Sequence, residues 1–335
     1  MQSVTVLLYF LLFVVSVLIT LGGCALFTNG IEWLGKKMKV PEGAVGSVFA
    51  AVGTTLPETS IPIIAIFFGT GQERAEVGVG AILGAPFMLS TLVIPILAVL
   101  LVVYARWGKR KPTFHLNYEE VKIDVRYFLL AYGLAMLCTA VPVRGLHYAV
   151  AAGLVLLYVR YMRLKFAGET EEESEIPPLF FARRSPDPPY WLIGLQGFIG
   201  LIGLAIGAHL FVTVAKSTAA ELQVSPLILA LLVAPLATEL PEMSNSFYWL
   251  YRRKDGLAVG NVTGAMVFQG TFPVAVGLVG TEWALEPSAL TTMGLAMLAA
   301  GASLGQLLWR GFWHPWLLAS SAVLYIGYAV YLYVR

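Results

Sequence analysis

Glu58, Glu239 and Glu242 each stand deep inside long apolar stretches of the 335-residue chain, with no Lys or Arg near them in the sequence. A carboxylate at the centre of a membrane-spanning helix costs about 2.5–3.5 kcal/mol on insertion scales. Three such groups without a basic partner ask for a cation from outside the chain. Glu239 and Glu242 are three residues apart, so on a helix they share a face and can address one ion. The flanking residues add oxygen. Glu58 closes the run Gly53-Thr54-Thr55-Leu56-Pro57-Glu58, and Glu242 closes Ala237-Thr238-Glu239-Leu240-Pro241-Glu242. A proline inside a helix removes one donor and pushes off the carbonyl four residues earlier, here that of Gly53 or Ala237. Freed carbonyls beside carboxylates and threonine hydroxyls make a hard-oxygen site suited to calcium, which takes about six to eight oxygens, or to sodium. Irregular backbone at this depth is tolerated only where it lines a cavity or is buried in protein.

The elements that position these acids are membrane helices. The chain is 58% hydrophobic and 13% charged, with a mean hydropathy of +0.77. Its apolar residues come in runs of roughly the length that crosses about 30 Å of hydrocarbon. Division at the polar turns predicts ten spans: 4–34, 43–69, 76–105, 124–141, 145–166, 190–219, 225–252, 256–281, 288–309 and 312–334. The first lacks a basic start and is too long for a signal core, so it is expected to stay as a helix. With the N-terminus outside, every Lys and Arg except Arg74, Arg144, Lys216 and Arg335 falls on the inner side. Cytoplasmic loops are enriched in these residues, so the asymmetry predicts N-out, C-out insertion in the cell membrane. Trp33, Trp107, Trp191 and Trp283 fall near expected interfaces. Cys24 and Cys138 lie in apolar segments and imply no disulfide framework.

Residues 167–189 break the pattern. Five glutamates are followed by five prolines and the pair Arg183-Arg184. Such a segment is expected to bury too little apolar surface to order itself, and it reads as a cytoplasmic linker.

The two flanking halves, 1–166 and 190–335, are copies. Gly23 matches Gly207, Leu26-Phe27 matches Leu210-Phe211, and Val40 matches Val224. Thr54 then matches Thr238, Leu56-Pro57-Glu58 matches Leu240-Pro241-Glu242, and Ser60 matches Ser244. Further on, Gly80-x-x-x-Gly84-Ala85 matches Gly260-x-x-x-Gly264-Ala265, glycines whose spacing permits close helix packing. Each half holds five spans, an odd number, so the second starts from the opposite side of the membrane. The expected fold is all-α and polytopic, with ten transmembrane helices in two inverted five-helix repeats, an architecture of secondary transporters with the site near the midplane.

The paired motifs resemble the alpha-repeats of the cation/calcium exchanger superfamily, which read roughly G-T-S-x-P-E in each half. The resemblance covers both repeat cores and agrees with the ten spans. It implies a sodium/calcium or proton/calcium antiporter with four broken helices around the site. Glu58 and Glu242 take the place of the family's calcium-binding glutamates, Thr54 and Thr238 that of its threonines, and Ala51 and Pro235 that of its carbonyl donors. The motif serine becomes Thr55 in the first half and Glu239 in the second. The family's G-S-N stretches become Gly84-Ala85-Pro86 and Gly264-Ala265-Met266. The position that sodium-coupled members fill with asparagine is Leu89, and the one filled with asparagine or aspartate is Gln269. Several sodium ligands of the family are therefore missing.

Three carboxylates in a dehydrated site cannot all stay ionised when it is empty. A divalent ion that displaces their protons would perform proton-coupled exchange, and the extra Glu239 favours that over sodium coupling; the threonine-rich first motif favours sodium. His209 reads either as a proton relay or as a hydrogen-bonded packing group, and Asn261 as a site-lining or an interhelical group. Magnesium and manganese also accept oxygen ligands. A channel would use rings of acids in an oligomer. An intramembrane enzyme would need a nucleophile with its base, paired aspartates or a metal triad, and no aspartate is expected in a membrane core. The expected partners are the lipid bilayer and inorganic cations; nothing points to a cofactor or to nucleic acid.

Overall fold

The computed structural model describes residues 2–68, 79–168, 176–221 and 239–334. Their regular structure is helical, in ten segments that follow the ten expected spans and one short 3₁₀ turn, Phe180–Ala182. α1 is Gln2–Met38. α2 covers 42–68 as a turn Glu42–Ala44, a π-helical stretch Val45–Ala50 and a regular helix Ala51–Phe68. α3 covers 80–106, with a second π-helical stretch, Leu89–Val93, between Gly80–Met88 and Ile94–Arg106. α4 is Tyr118–Cys138, α5 Arg144–Phe166, α6 Tyr190–Glu221 and α7 Leu240–Tyr251. α8 is Asp255–Gly280, α9 Pro287–Arg310, and α10 covers 315–334 in two pieces, Pro315–Ala319 and Ala322–Val334. Among the described residues six helices are long and apolar enough to cross a membrane. The start of the seventh expected span, before Glu239, lies outside the described residues.

Local sequence explains several boundaries. Asn117 caps α4 by accepting the Glu119 N–H at 3.2 Å, and Glu119 and Glu120 sit in the first turn, where the helix dipole favours acids. α9 opens on Pro287 and closes at Gly311, whose φ of 76° lets its N–H reach the Leu307 carbonyl at 3.1 Å.

The chain forms two compact units. One holds Met1–Val40 and Thr170–Tyr248, so α1 and α6 are its body. These two helices meet through glycines. A Cβ on Gly23 would lie 2.6 Å from the Leu204 nitrogen and 2.8 Å from the Gly200 carbonyl oxygen. Gly200 presses on Phe27 in turn, and Gly207 on Thr20. Gly23 and Gly207, matched between the halves by sequence, are thus both contact points. Residues 176–189 lie against the same helices, contrary to the expectation that the whole linker is too polar to order. Pro177 carbonyl accepts Trp33 Nε1 at 2.9 Å and Asn29 Nδ2 at 3.1 Å. The Phe181 N–H donates to Gln196 Oε1 at 3.0 Å, and Leu179 is buried against Trp33 and Ile193. Lys37 pairs with Asp187 at 2.7 Å. Buried backbone needs such partners, and α1 and α6 supply them. The acidic part, 169–175, lies outside the described residues.

The other unit holds Pro41–Glu169 and Trp249–Arg335. α8 is its axis, buried on nearly all sides and packed by α2, α3, α4 and α5. The π-helical stretch of α2 lies on α8 at Gly260 and Gly264, the second pressed against the Ser47 backbone. Close packing through glycines spaced four apart is realised here. Around Gly80 and Gly84, by contrast, no described atom lies within 4 Å of a Cβ position. A buried ion pair closes one end: Arg110 Nη1 meets Asp255 Oδ1 at 2.7 Å, and the His115 N–H reaches Oδ2 at 2.8 Å. Cys24 and Cys138 are free and buried. Trp107 and Trp191 are exposed, whereas Trp33 and Trp283 turn inward, Trp283 Nε1 bonding the Ala135 carbonyl at 2.9 Å.

Candidate cation-binding site

Each unit contributes residues of the expected site. In the first, Glu239 and Glu242 are both fully buried, at 0% exposure. The Glu239 carbonyl accepts the Met243 N–H at 2.9 Å, so Glu239 caps α7 and Glu242 lies in its first turn. Pro241 therefore occupies the start of a helix, where a missing N–H costs little, and not a helix interior as its place in the seventh span suggests. Ala237, whose carbonyl it was expected to free, lies outside the described residues, as do Pro235 and Thr238. Neither carboxylate oxygen of Glu239 has a hydrogen-bond partner among the described residues. A helix N-terminus offers about half a unit of positive charge, which does not neutralise two acids.

In the second unit, Thr54 and Thr55 are fully buried on α2. Both hydroxyls turn back on their own helix, Thr54 to the Ala50 carbonyl at 3.0 Å and Thr55 to the Ala51 carbonyl at 2.7 Å. The helix runs on through Pro57 to Phe68. Glu58 stands on it one turn after Thr54; its side chain lies outside the described residues. The irregularity falls about two turns before the proline, in the π-helical stretch that ends at Ala50. Such stretches are frequent at functional sites. Leu89, at the position where the resemblance expects a sodium ligand, opens the other one.

α8 packs along α2 and carries Gln269, which is 3% exposed and whose Oε1 has no hydrogen-bond partner among the described residues. Asn261, Thr263 and Thr271 are buried on the same helix. Thr263 donates to Asp124, a residue that sequence reasoning left out because it stands at the edge of its apolar run. Asp124 is 1% exposed, so an aspartate does reach the protein interior, where it is paired with Lys165. The signal that could have found it was Lys165, one of two basic residues in the last turn of the next helix. His209 is exposed on α6. Among the described residues no group of three His, Cys, Asp or Glu side chains converges. Of the three expected acids, Glu239 and Glu242 are the two whose side chains are described, buried three residues apart at the start of α7.

Comparison with known proteins places these features in a family. The profile described as "sodium/calcium exchanger protein" matches residues 8–167 and 193–335. The uncharacterized membrane protein MJ0091 of Methanocaldococcus jannaschii is 24% identical over 268 residues, covering 79% of this chain and 80% of that protein. The inner membrane protein YrbG of Escherichia coli K12 is 21% identical over 273 residues, covering 81% and 79%. Among solved structures, the sodium-calcium exchanger NCX_Mj superposes with a TM-score of 0.73 at 20% identity, covering 97% of this chain and 98% of its own. That likeness shows the fold: an all-helical membrane protein of ten transmembrane helices in two inverted five-helix repeats. The chain belongs to the sodium/calcium exchanger family, as a multi-pass membrane cation antiporter and not an enzyme.

Proposed function

We propose that the protein exports a divalent cation, calcium first, in exchange for sodium or protons, by alternating access to a site formed by Glu58, Glu239 and Glu242. The observation that carries the proposal is the pair Glu239 and Glu242, fully buried three residues apart at the start of α7. Two dehydrated carboxylates on one helix face repel each other unless a cation or a proton intervenes. Thr54, Thr55 and the Ala51 carbonyl on α2, with Thr238 and Pro235 in the matched motif and Gln269 on α8, are the further oxygen donors. Calcium accepts such a crowd of mixed oxygens, whereas magnesium demands tight octahedral geometry and releases water reluctantly. Matched motifs in the two halves support alternating access, because similar halves can exchange conformations about one site.

The cell membrane, with both termini outside, is the proposed location; the basic residues support that direction, and YrbG is named as an inner membrane protein. The proposal is tested in inverted membrane vesicles. Calcium uptake driven by an imposed pH gradient without sodium assigns protons as the coupling ion. Uptake only under a sodium gradient assigns sodium. Uptake under neither, with manganese or magnesium moving instead, replaces calcium as cargo.

A further inference from the structure

Asn245 stands three residues beyond Glu242 on α7 and is fully buried, at 0% exposure. Neither its amide oxygen nor its amide nitrogen has a hydrogen-bond partner among the described residues. Leaving such a group buried and unbonded costs about 1–3 kcal/mol. Native proteins rarely accept that cost without a bound ion, a water or a functional reason. The helix register shows what the amide is near. At about 1.5 Å of rise per residue, Asn245 lies roughly 4.5 Å along the axis from Glu242 and roughly 9 Å from Glu239. Residues three apart are neighbours on a helix surface, so Glu239, Glu242 and Asn245 form one buried ladder of oxygen-bearing side chains. An ion seated beside Glu242 at about 2.3–2.6 Å from its oxygens is within reach of the next rung.

We propose that Asn245 lends its amide oxygen to the transported cation as a further ligand, and that it helps to set which divalent ion is accepted. This rests on the assignment of Glu242 to the cation site. A neutral oxygen raises the coordination number without adding charge. That favours calcium, with its six to eight flexible ligands, over magnesium, which keeps its own waters in an octahedral shell (about six positions). The ligand belongs to one repeat only. The residue three beyond Glu58 is Ile61, so the first half offers no counterpart. Together with Glu239 opposite Thr55, this makes the second half the richer in oxygen donors.

The test uses the full chain reconstituted in proteoliposomes, with radioactive calcium as the probe and magnesium and manganese as competitors. Asn245→Leu keeps the volume and removes the oxygen. It is expected to raise KM for calcium about tenfold with kcat little changed, the effect of losing about 1.4 kcal/mol of binding, and to narrow the preference for calcium over magnesium. Asn245→Asp retains an oxygen and is expected to hold KM near the wild-type value. A folded Asn245→Leu protein with wild-type KM and wild-type preference overturns the proposal. So does an equal fall in kcat in both variants with KM unmoved, which marks a packing role. If Asn245→Leu does not fold, Asn245→Asp decides: an altered calcium-to-magnesium preference supports the ligand, and an unaltered one removes it. Glu242→Gln separates the two levels. Calcium transport by Glu242→Gln equal to wild type defeats the site itself; its loss, beside a wild-type Asn245→Leu, defeats only the role of Asn245.

Discussion

The Thr263 hydroxyl donates to Asp124 Oδ2 across 2.6 Å and so joins α8 to α4 in the interior of one unit. The other carboxylate oxygen, Oδ1, accepts the Tyr161 hydroxyl at 2.9 Å and lies 3.1 Å from Lys165 Nζ. Lys165 reaches Glu120 as well, at 2.9 Å. Two helices and the axis helix are not merely packed here: α4, α5 and α8 share one buried polar network. Thr263 belongs to the segment Gly260-Asn261-Val262-Thr263-Gly264, six residues before Gln269, so the network also fixes the helix that carries a proposed oxygen donor.

Loss of Lys165 leaves Asp124 buried without its cation, and loss of Asp124 leaves Lys165 with Glu120 alone; breaking a buried pair costs up to about 3–5 kcal/mol. Asp124→Ala is therefore expected to lower the thermal unfolding midpoint in detergent markedly, and Lys165→Ala to do likewise. The double substitution Asp124→Asn with Lys165→Met removes both charges and is expected to recover much of the loss. A double variant as unstable as the sum of the singles contradicts coupling between the two groups.

The glycine contact between α1 and α6 makes opposite predictions for two glycines, one on each helix. At Gly23 a Cβ would sit 2.6 Å from backbone nitrogen of Leu204, so Gly23→Ala forces the helices apart, at about 1–3 kcal/mol. At Gly194 on α6 no described atom lies within 4 Å, and Gly194→Ala is expected to be neutral or to stabilise by up to about 1 kcal/mol through helix propensity. Unfolding midpoints of the two purified variants give the comparison, and equal midpoints contradict the close approach.

The three glutamates are expected to differ in what they lose. Glu58→Gln and Glu242→Gln each remove the charge of a proposed ligand at positions related by the repeat, and each is expected to cut calcium transport roughly a hundredfold, or about 3 kcal/mol. Glu239→Gln leaves both of those acids in place and exchanges the extra charge for an amide. Transport is expected to persist in that variant with a weaker dependence on pH, since one fewer carboxylate must give up a proton when the ion arrives. Flux measured across a pH series in vesicles separates these outcomes. Identical behaviour of all three variants leaves the assignment without support.

Much of this was legible in the residue order. Membrane insertion, the number and extent of the helices and the doubled motif all follow from hydropathy and self-similarity, which are properties of neighbours along the chain. The boundaries of α4, α5, α6 and α8 fall within a few residues of the expected spans, except where a polar first turn, 118–123 in α4, extends the helix beyond the apolar run. Helices continue past hydrocarbon because their caps, here Asn117, are set by local hydrogen bonds.

Other features were settled by which side chains meet. Pro241 reads as a helix breaker in the sequence, yet it starts α7, because proline fits the first turn of a helix as well as it disrupts an interior. Residues 176–189 read as an unordered linker until Asn29, Trp33 and Gln196, more than ten residues away in every case, supply partners for their backbone. Asp124 opens an expected span and Lys165 counts among the inner-side cations, and helix packing places them 3.1 Å apart. Apolar pattern and motif are written in one dimension, and the order of residues determines them alone. The neutralisation of a charge, the satisfaction of a backbone group and the closeness of two helices depend on distances of a few ångströms between distant residues, and those only the folded chain decides.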